Sequence, residues 1–219
     1  IAKAFVLNDA AWSEVPNGGF KRVDRPESVR FTGLTRYEEG LPIEVVFEKP
    51  EKMPLILGDA IARRGLRQFR CAETEKFPHV TFFFNDYRED PFPGENRVIV
   101  PSPTEVSPYD QKPEMSAAGV RDAVLERLSA DDCESLIVVN FANGDMVGYT
   151  GSLEATIAAC EVVDECVKRI VDATLARGGS LVVTADHGNA EQMWNPEADC
   201  PHPAHPNYDV PMHLVGDAF

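Results

Sequence analysis

A carboxylate, an imidazole and a glycine stand in a row at Asp186-His187-Gly188. The pair offers one hard oxygen donor and one borderline nitrogen donor, a combination suited to a divalent transition metal such as manganese or zinc. The glycine lets a ligand or the backbone come close. The same triplet also reads as an ordinary Asp-His turn at a strand end. Asp145, in Ala142-Asn143-Gly144-Asp145, is a second candidate ligand, with a simple turn as its competing reading. Of the five histidines, His202 and His205 share the loop Pro201-His202-Pro203-Ala204-His205-Pro206, which could deliver an imidazole to the same place. His213, in the strand-like VPMHLV, and His79, in an apolar run, read as packing residues. Lys76 either sits in solvent or neutralises a phosphate as a point charge.

These residues need a frame, and the sequence supplies one. Short apolar stretches alternate with amphipathic ones. Strands are expected at Val29–Thr35, 66–71, Arg97–Val100, Leu136–Phe141, Leu181–Thr184 and Val210–Val215, those at Leu136, Leu181 and Val210 being of the fully buried kind. A helix opens with Pro54 in its first turn and closes on Gly65. Residues 74–84 read as helical or mixed. Ser116 caps a helix running to Ser129. A long helix covers Leu153–Arg177 and stops at Gly178-Gly179, with Ile157, Cys160, Val163, Val167, Ile170, Val171 and Leu175 as one buried stripe. Such alternation implies an α/β domain with a largely parallel sheet. Ligands in such sheets bind beyond the carboxyl ends of the strands, and both Asp145 and Asp186 follow apolar strands directly.

Composition narrows the function. The 219 residues are 43% hydrophobic and 26% charged, with a net charge of −15. That balance suits a folded protein with a sizeable core and argues against a nucleic-acid surface, which needs clustered Lys and Arg. It does not exclude an anionic substrate, because a metal and a lysine can make a local positive site. Cys71, Cys133, Cys160, Cys166 and Cys200 form no CxxC pair and are an odd set, as expected of reduced thiols inside a cell. No apolar run is long enough to span a membrane, and the first residues do not have the pattern of a signal peptide.

Five segments, in order, carry a family resemblance: AETEKFPHVTFFFN (Ala72–Asn85), PFPGENR (Pro91–Arg97), VPSPTEVSPYDQKPEMSA (Val100–Ala117), NFANGDMVGYTG (Asn140–Gly151) and TADHGNAEQM (Thr184–Met193). Together they resemble the carboxy-terminal portion of the cofactor-independent phosphoglycerate mutases, over about residues 55–215. TADHGN alone would indicate only the wider alkaline-phosphatase-like superfamily. The resemblance implies an α/β, alkaline-phosphatase-like domain with a largely parallel central sheet flanked by helices, incomplete at both ends. It implies the tail of an inserted transferase domain with its linker at 1–50 and the metal-binding domain at 51–219. It further implies interconversion of 3-phosphoglycerate and 2-phosphoglycerate in glycolysis through a phosphoserine, with two divalent metal ions, manganese, in a cytoplasmic monomer. By the same resemblance, Asp186 and His187 are ligands of the metal that holds the nucleophilic serine, Asp145 and His205 are ligands of the other, and Lys76 contacts the phosphoryl group.

Three departures accompany the resemblance. The family motif reads DMVGH, and its histidine binds the same metal as Asp145; here Tyr149 stands in its place. That leaves three readings: a weakened site, a coordinating phenolate, or a substitute residue. A catalytically dead relative kept for binding is one alternative function, and another phosphotransferase such as a phosphopentomutase is a second. Pro206 and Asp209 follow His205 where the family has Thr and Pro. The family's serine, an amino-terminal aspartate ligand and an arginine-rich pocket have no counterpart in these residues. The expectation is that they precede residue 1 and that the chain by itself is not a mutase.

Overall fold

The computed structural model describes residues 2–15, 20–23, 28–36, 38, 40–48 and 51–219. They fall into two units, Ile1–Lys52 and Met53–Phe219. The first holds two short helices, α1 (Ala2–Val6) and α2 (Asp9–Ser13), and a parallel strand pair, β1 (Thr32–Thr35) and β2 (Glu44–Phe47). The strand expected from Val29 is therefore shorter at its start. Asn8 caps α2 by accepting from the Ala11 amide at 2.8 Å, and Arg22 donates to the Ala4 and Leu7 carbonyls at the end of α1.

In the second unit α3 runs Leu57–Arg63. Leu55 takes a left-handed backbone, φ 58°, so Pro54 lies outside the helix rather than in its first turn. The stop at Gly65 is as expected. Its φ is 67°, and the Gly65 and Leu66 amides close back on the Ala62 and Ile61 carbonyls, the paired bonds of a Schellman ending. Strand β3 (Gln68–Glu73) follows, then a π-helical turn at His79–Phe83, β4 (Glu95–Val100), a 3-10 turn at Tyr109–Gln111 and α4 (Ala117–Ser129). Ser116 precedes α4 but does not cap it through its side chain; its hydroxyl donates to the Pro101 carbonyl and its amide to Glu73. Then come β5 (Leu136–Asn140), α5 (Asn143–Gly148), α6 (Leu153–Ala176), β6 (Leu181–Thr184), β7 (Trp194–Asn195), β8 (Cys200–Pro201) and β9 (Met212–Val215).

Strand β3 is the centre of a parallel sheet, with β4 on one side and β5 on the other. All six of its residues are buried, and its two faces differ in chemistry. Phe69 and Cys71 pack with Val120, Val124 and Leu128 of α4 and Ile170 of α6; each such side chain contributes about 1.5–3 kcal/mol by leaving water. On the other face Gln68 donates to the Gly58 carbonyl of α3, and Arg70 lies over the Phe84 ring at 4.3 Å. Helices thus flank the sheet on both sides, which makes this an α/β layer. Three strands depart from the expected burial or direction. β5 is only half buried along its length, and β6 pairs antiparallel with a mostly exposed β9. An apolar run is consistent with coverage on both faces, but only packed layers provide it. α6 also departs from expectation: its buried side is Ala155, Thr156, Ala159, Cys166 and Ile170, while Ile157, Cys160 and Leu175 are exposed.

Candidate metal centre

Three carboxyl-terminal strand ends assemble the site. Beyond β3 the chain turns at Glu73–Lys76, beyond β5 it enters α5, and beyond β6 it carries Asp186 and His187. Asp145 lies within the first turn of α5, not in an open turn. That helix is pinned by a small apolar cluster of Met115, Ala142, Val147, Ala155 and Ala159, and by Asn143, whose amide donates to the Pro113 carbonyl at 2.8 Å. The loop to His205 is anchored where the His202 amide meets the Met193 carbonyl and where Thr184 donates to the Pro211 carbonyl at 2.9 Å.

Ligand atoms of Asp145, His187 and His205 all lie within 4.8 Å of one another. His205 Nε2 is 3.0 Å from Asp145 Oδ1, and the His187 and His205 rings stack with centroids 3.8 Å apart. Lys76, 8% exposed in its side chain, pairs with Oδ2 of Asp145, itself 10% exposed. The lysine thus lies inside the site rather than in solvent. Burial alone would raise the Asp145 carboxyl, but hydrogen bonds from Lys76, Asn189 and His205 outweigh it and hold the group below its ordinary value. Its two oxygens are divided: Oδ2 faces the ammonium, and Oδ1 faces the imidazole side. Asp186 stands at the rim, 49% exposed in its side chain, with Oδ1 3.7 Å from His187 Nε2. Tyr149 ends α5 and hydrogen-bonds His205 Nε2. His213 lies on exposed β9 and is not in the donor grouping found among the described residues.

One carboxylate and two imidazoles at this spacing form a donor set that fits a divalent metal. Asn189 was missed by sequence reasoning although it lies in the quoted TADHGN. Its side-chain amide donates to Asp145 Oδ1 at 2.8 Å, orienting the carboxylate as second-layer partners of metal ligands do. The signal available was its place two residues beyond His187, in the same strand-end turn. His79 also belongs to the surroundings. Burial and then the Lys76 ammonium lower its imidazole, against the pull of Asp186 and Asp145.

A family model described as metalloenzyme, metalloenzyme superfamily, matches residues 8–219. The 2,3-bisphosphoglycerate-independent phosphoglycerate mutase of Rhodopirellula baltica is 59% identical over all of this chain, which covers 40% of that protein. The enzyme of the same name from Moorella thermoacetica is 51% identical, again over all of this chain and 40% of its own length. Among solved structures, Leishmania mexicana phosphoglycerate mutase, crystallised at low cobalt concentration, superposes with a TM-score of 0.80 and 33% identity, covering 94% of this chain and 39% of that one. The chain therefore spans about two fifths of the length of these relatives. On the match across residues 8–219, with acid and imidazoles converging at the strand ends, the chain belongs to the metalloenzyme superfamily, and within it resembles the 2,3-bisphosphoglycerate-independent phosphoglycerate mutases along its whole length.

Proposed function

We propose that the protein containing this chain interconverts 3-phosphoglycerate and 2-phosphoglycerate, a glycolytic step, through a phosphoserine formed on a residue outside these 219 positions. The observation that carries the reading is the convergence of Asp145, His187 and His205 with a buried Lys76 at the carboxyl ends of the strands. Two divalent ions, manganese in our reading, are held there, Asp145 and His205 serving one and Asp186 and His187 the other. When bound, such ions neutralise the charge of a transferring phosphoryl group and favour the ionised form of an attacking hydroxyl. The chain's own residues do the rest. Lys76 places a fixed positive charge beside the phosphoryl oxygens. Asn189 and Lys76 hold both oxygens of Asp145 in position, so the carboxylate needs no reorganisation when charge moves. Residues 1–50 are assigned to the tail of an inserted transferase domain and 51–219 to the metal-binding domain, a division close to that of the two compact units. Five free thiols suit the reducing cytoplasm.

The test is an assay of the full-length protein stripped of metal and then supplied with manganese. Turnover of 3-phosphoglycerate should vanish on stripping and return on addition. Asp145→Ala should lower it by more than about 100-fold, since a lost ligand costs at least as much as a lost ligand-orienting partner. Turnover in that variant within a few-fold of the parent would overturn the assignment.

A further inference from the structure

We propose that the phenol oxygen of Tyr149 is a metal donor, joining Asp145 and His205 on one ion while His187 stays with Asp186 on the other. The inference rests on the metal-dependent reading above and deepens it. Asp145 and Tyr149 stand four residues apart on α5, with the Tyr149 amide bonded to the Asp145 carbonyl at 3.0 Å. That spacing puts both side chains on one helix face. Both reach the same atom: His205 Nε2 is 3.0 Å from Asp145 Oδ1 and within hydrogen-bond reach of the Tyr149 hydroxyl.

One Nε2–H can be shared by the Asp145 carboxylate and the phenol oxygen, whose own hydrogen turns to solvent, so that the three atoms converge on a single proton. A cation in that proton's place serves all three, because carboxylate, phenolate and neutral imidazole each present a lone pair. The phenol proton leaves to solvent as the metal enters, and its oxygen keeps the electron pair that forms the metal bond. The Tyr149 side of the site is open, the residue being 44% exposed, so that proton has a path out. An oxygen donor where the family resemblance implies a nitrogen hardens the set and shifts its preference from zinc toward manganese.

The experiment titrates manganese(II) into the metal-free full-length protein, following tyrosine ionisation by ultraviolet difference spectroscopy and free manganese by its paramagnetic resonance signal. Metal binding should ionise a tyrosine in step with occupancy. Tyr149→Phe should abolish that ultraviolet change and weaken manganese binding about tenfold or more; Tyr149→His should recover affinity without the ultraviolet change and should raise zinc binding relative to manganese. Melting curves of both variants check that they are folded. Binding of manganese with no phenol ionisation, or equal or tighter binding by Tyr149→Phe, would overturn tyrosine ligation while leaving the metal centre intact. Failure of the parent protein to bind manganese at all would instead bring down the reading on which this one rests.

Discussion

Asp145 is the residue around which the site is organised, and its neighbours can be tested one at a time. Lys76 takes Oδ2 and leaves Oδ1 to the imidazole side. Lys76→Met should therefore lower phosphoryl-transfer turnover by about 100-fold, the scale of losing one fixed charge at the reacting group, while manganese content stays within a few-fold of the parent. A loss of metal as large as the loss of turnover would show that the lysine acts only by holding Asp145. Gly148 is the second case. A Cβ there would stand 2.3 Å from Asn189 Oδ1, so Gly148→Ala must displace the amide that orients Asp145. Stability should fall by roughly 1–3 kcal/mol, the range for disturbing a buried hydrogen bond, and manganese affinity by about tenfold; melting curves and metal titration measure the two. Asp145, His187 and His205 stood out in the sequence because acids and imidazoles that follow apolar strands have a recognisable order, and the structure brings these three together while Asp186 stays at the rim. Asn189 was not, because an asparagine that orients a carboxylate looks in sequence like any turn residue. The pairing of Lys76 with Asp145 joins positions 69 residues apart, and no local pattern announces it.

At the scale of elements, the main strands and the long helices could be read from periodicity, but short α5 could not, and the covered face of α6 only in part. Apolar spacing selected Ile170, which is buried, and Val163, Val167 and Val171, which are half-buried, but also Ile157, Cys160 and Leu175, which are exposed, and it passed over Ala155 and Ala159, buried against α5. Small residues allow two helices to come close, and a hydropathy reading undervalues them. Ile170→Ala, at the junction of α6 with α4 and β3, should cost about 2–5 kcal/mol in denaturant unfolding, and Ile157→Ala much less. Glu134 ties three elements together just before β5. Its fully buried carboxylate accepts from Arg67 at 3.0 Å, Arg127 at 2.9 Å and Asn96 at 3.0 Å. Burial pushes this carboxyl up, but Arg127 and Asn96 outweigh it and leave it below the ordinary value of 4.5. A carboxyl depressed by folding stabilises above its unfolded value and loses that contribution as pH falls through the folded one. Glu134→Gln should thus be less stable than the parent by roughly 1.5–3 kcal/mol near neutral pH. The gap should narrow steadily below about pH 4.5. A gap independent of pH would mean that shape, not charge, is what the position requires.

For the molecule as a whole, the α/β class followed from alternating patterns, while the depth of each strand depended on layers that no single segment encodes. β3 is sealed on both faces; β5 is half covered; β6 and β9 keep exposed apolar residues such as Val182, Met212 and Leu214. The cysteines sample this gradient. All five are free; Cys200 and Cys160 are exposed, Cys166 is 2% exposed and Cys71 0%. Burial pushes the Cys71 thiol up to about 11, so it lacks both access and thiolate, the reactive form. A thiol reagent at neutral pH should modify Cys200 first and Cys160 more slowly, since partial burial raises the Cys160 thiol as well. Cys71 should wait for the opening of the central strand. Because β3 is bonded along both edges, its exposure requires separating β4 or β5 and emptying the cluster around Phe69. That makes its labelling rate a report on the largest openings of this unit, those close to global unfolding. Added in increasing urea, the reagent should leave Cys71 untouched until the main transition and label it together with the loss of helical signal. Early modification of Cys71, in step with Cys200, would show that the sheet opens locally and that the layers on its two faces are not one cooperative core.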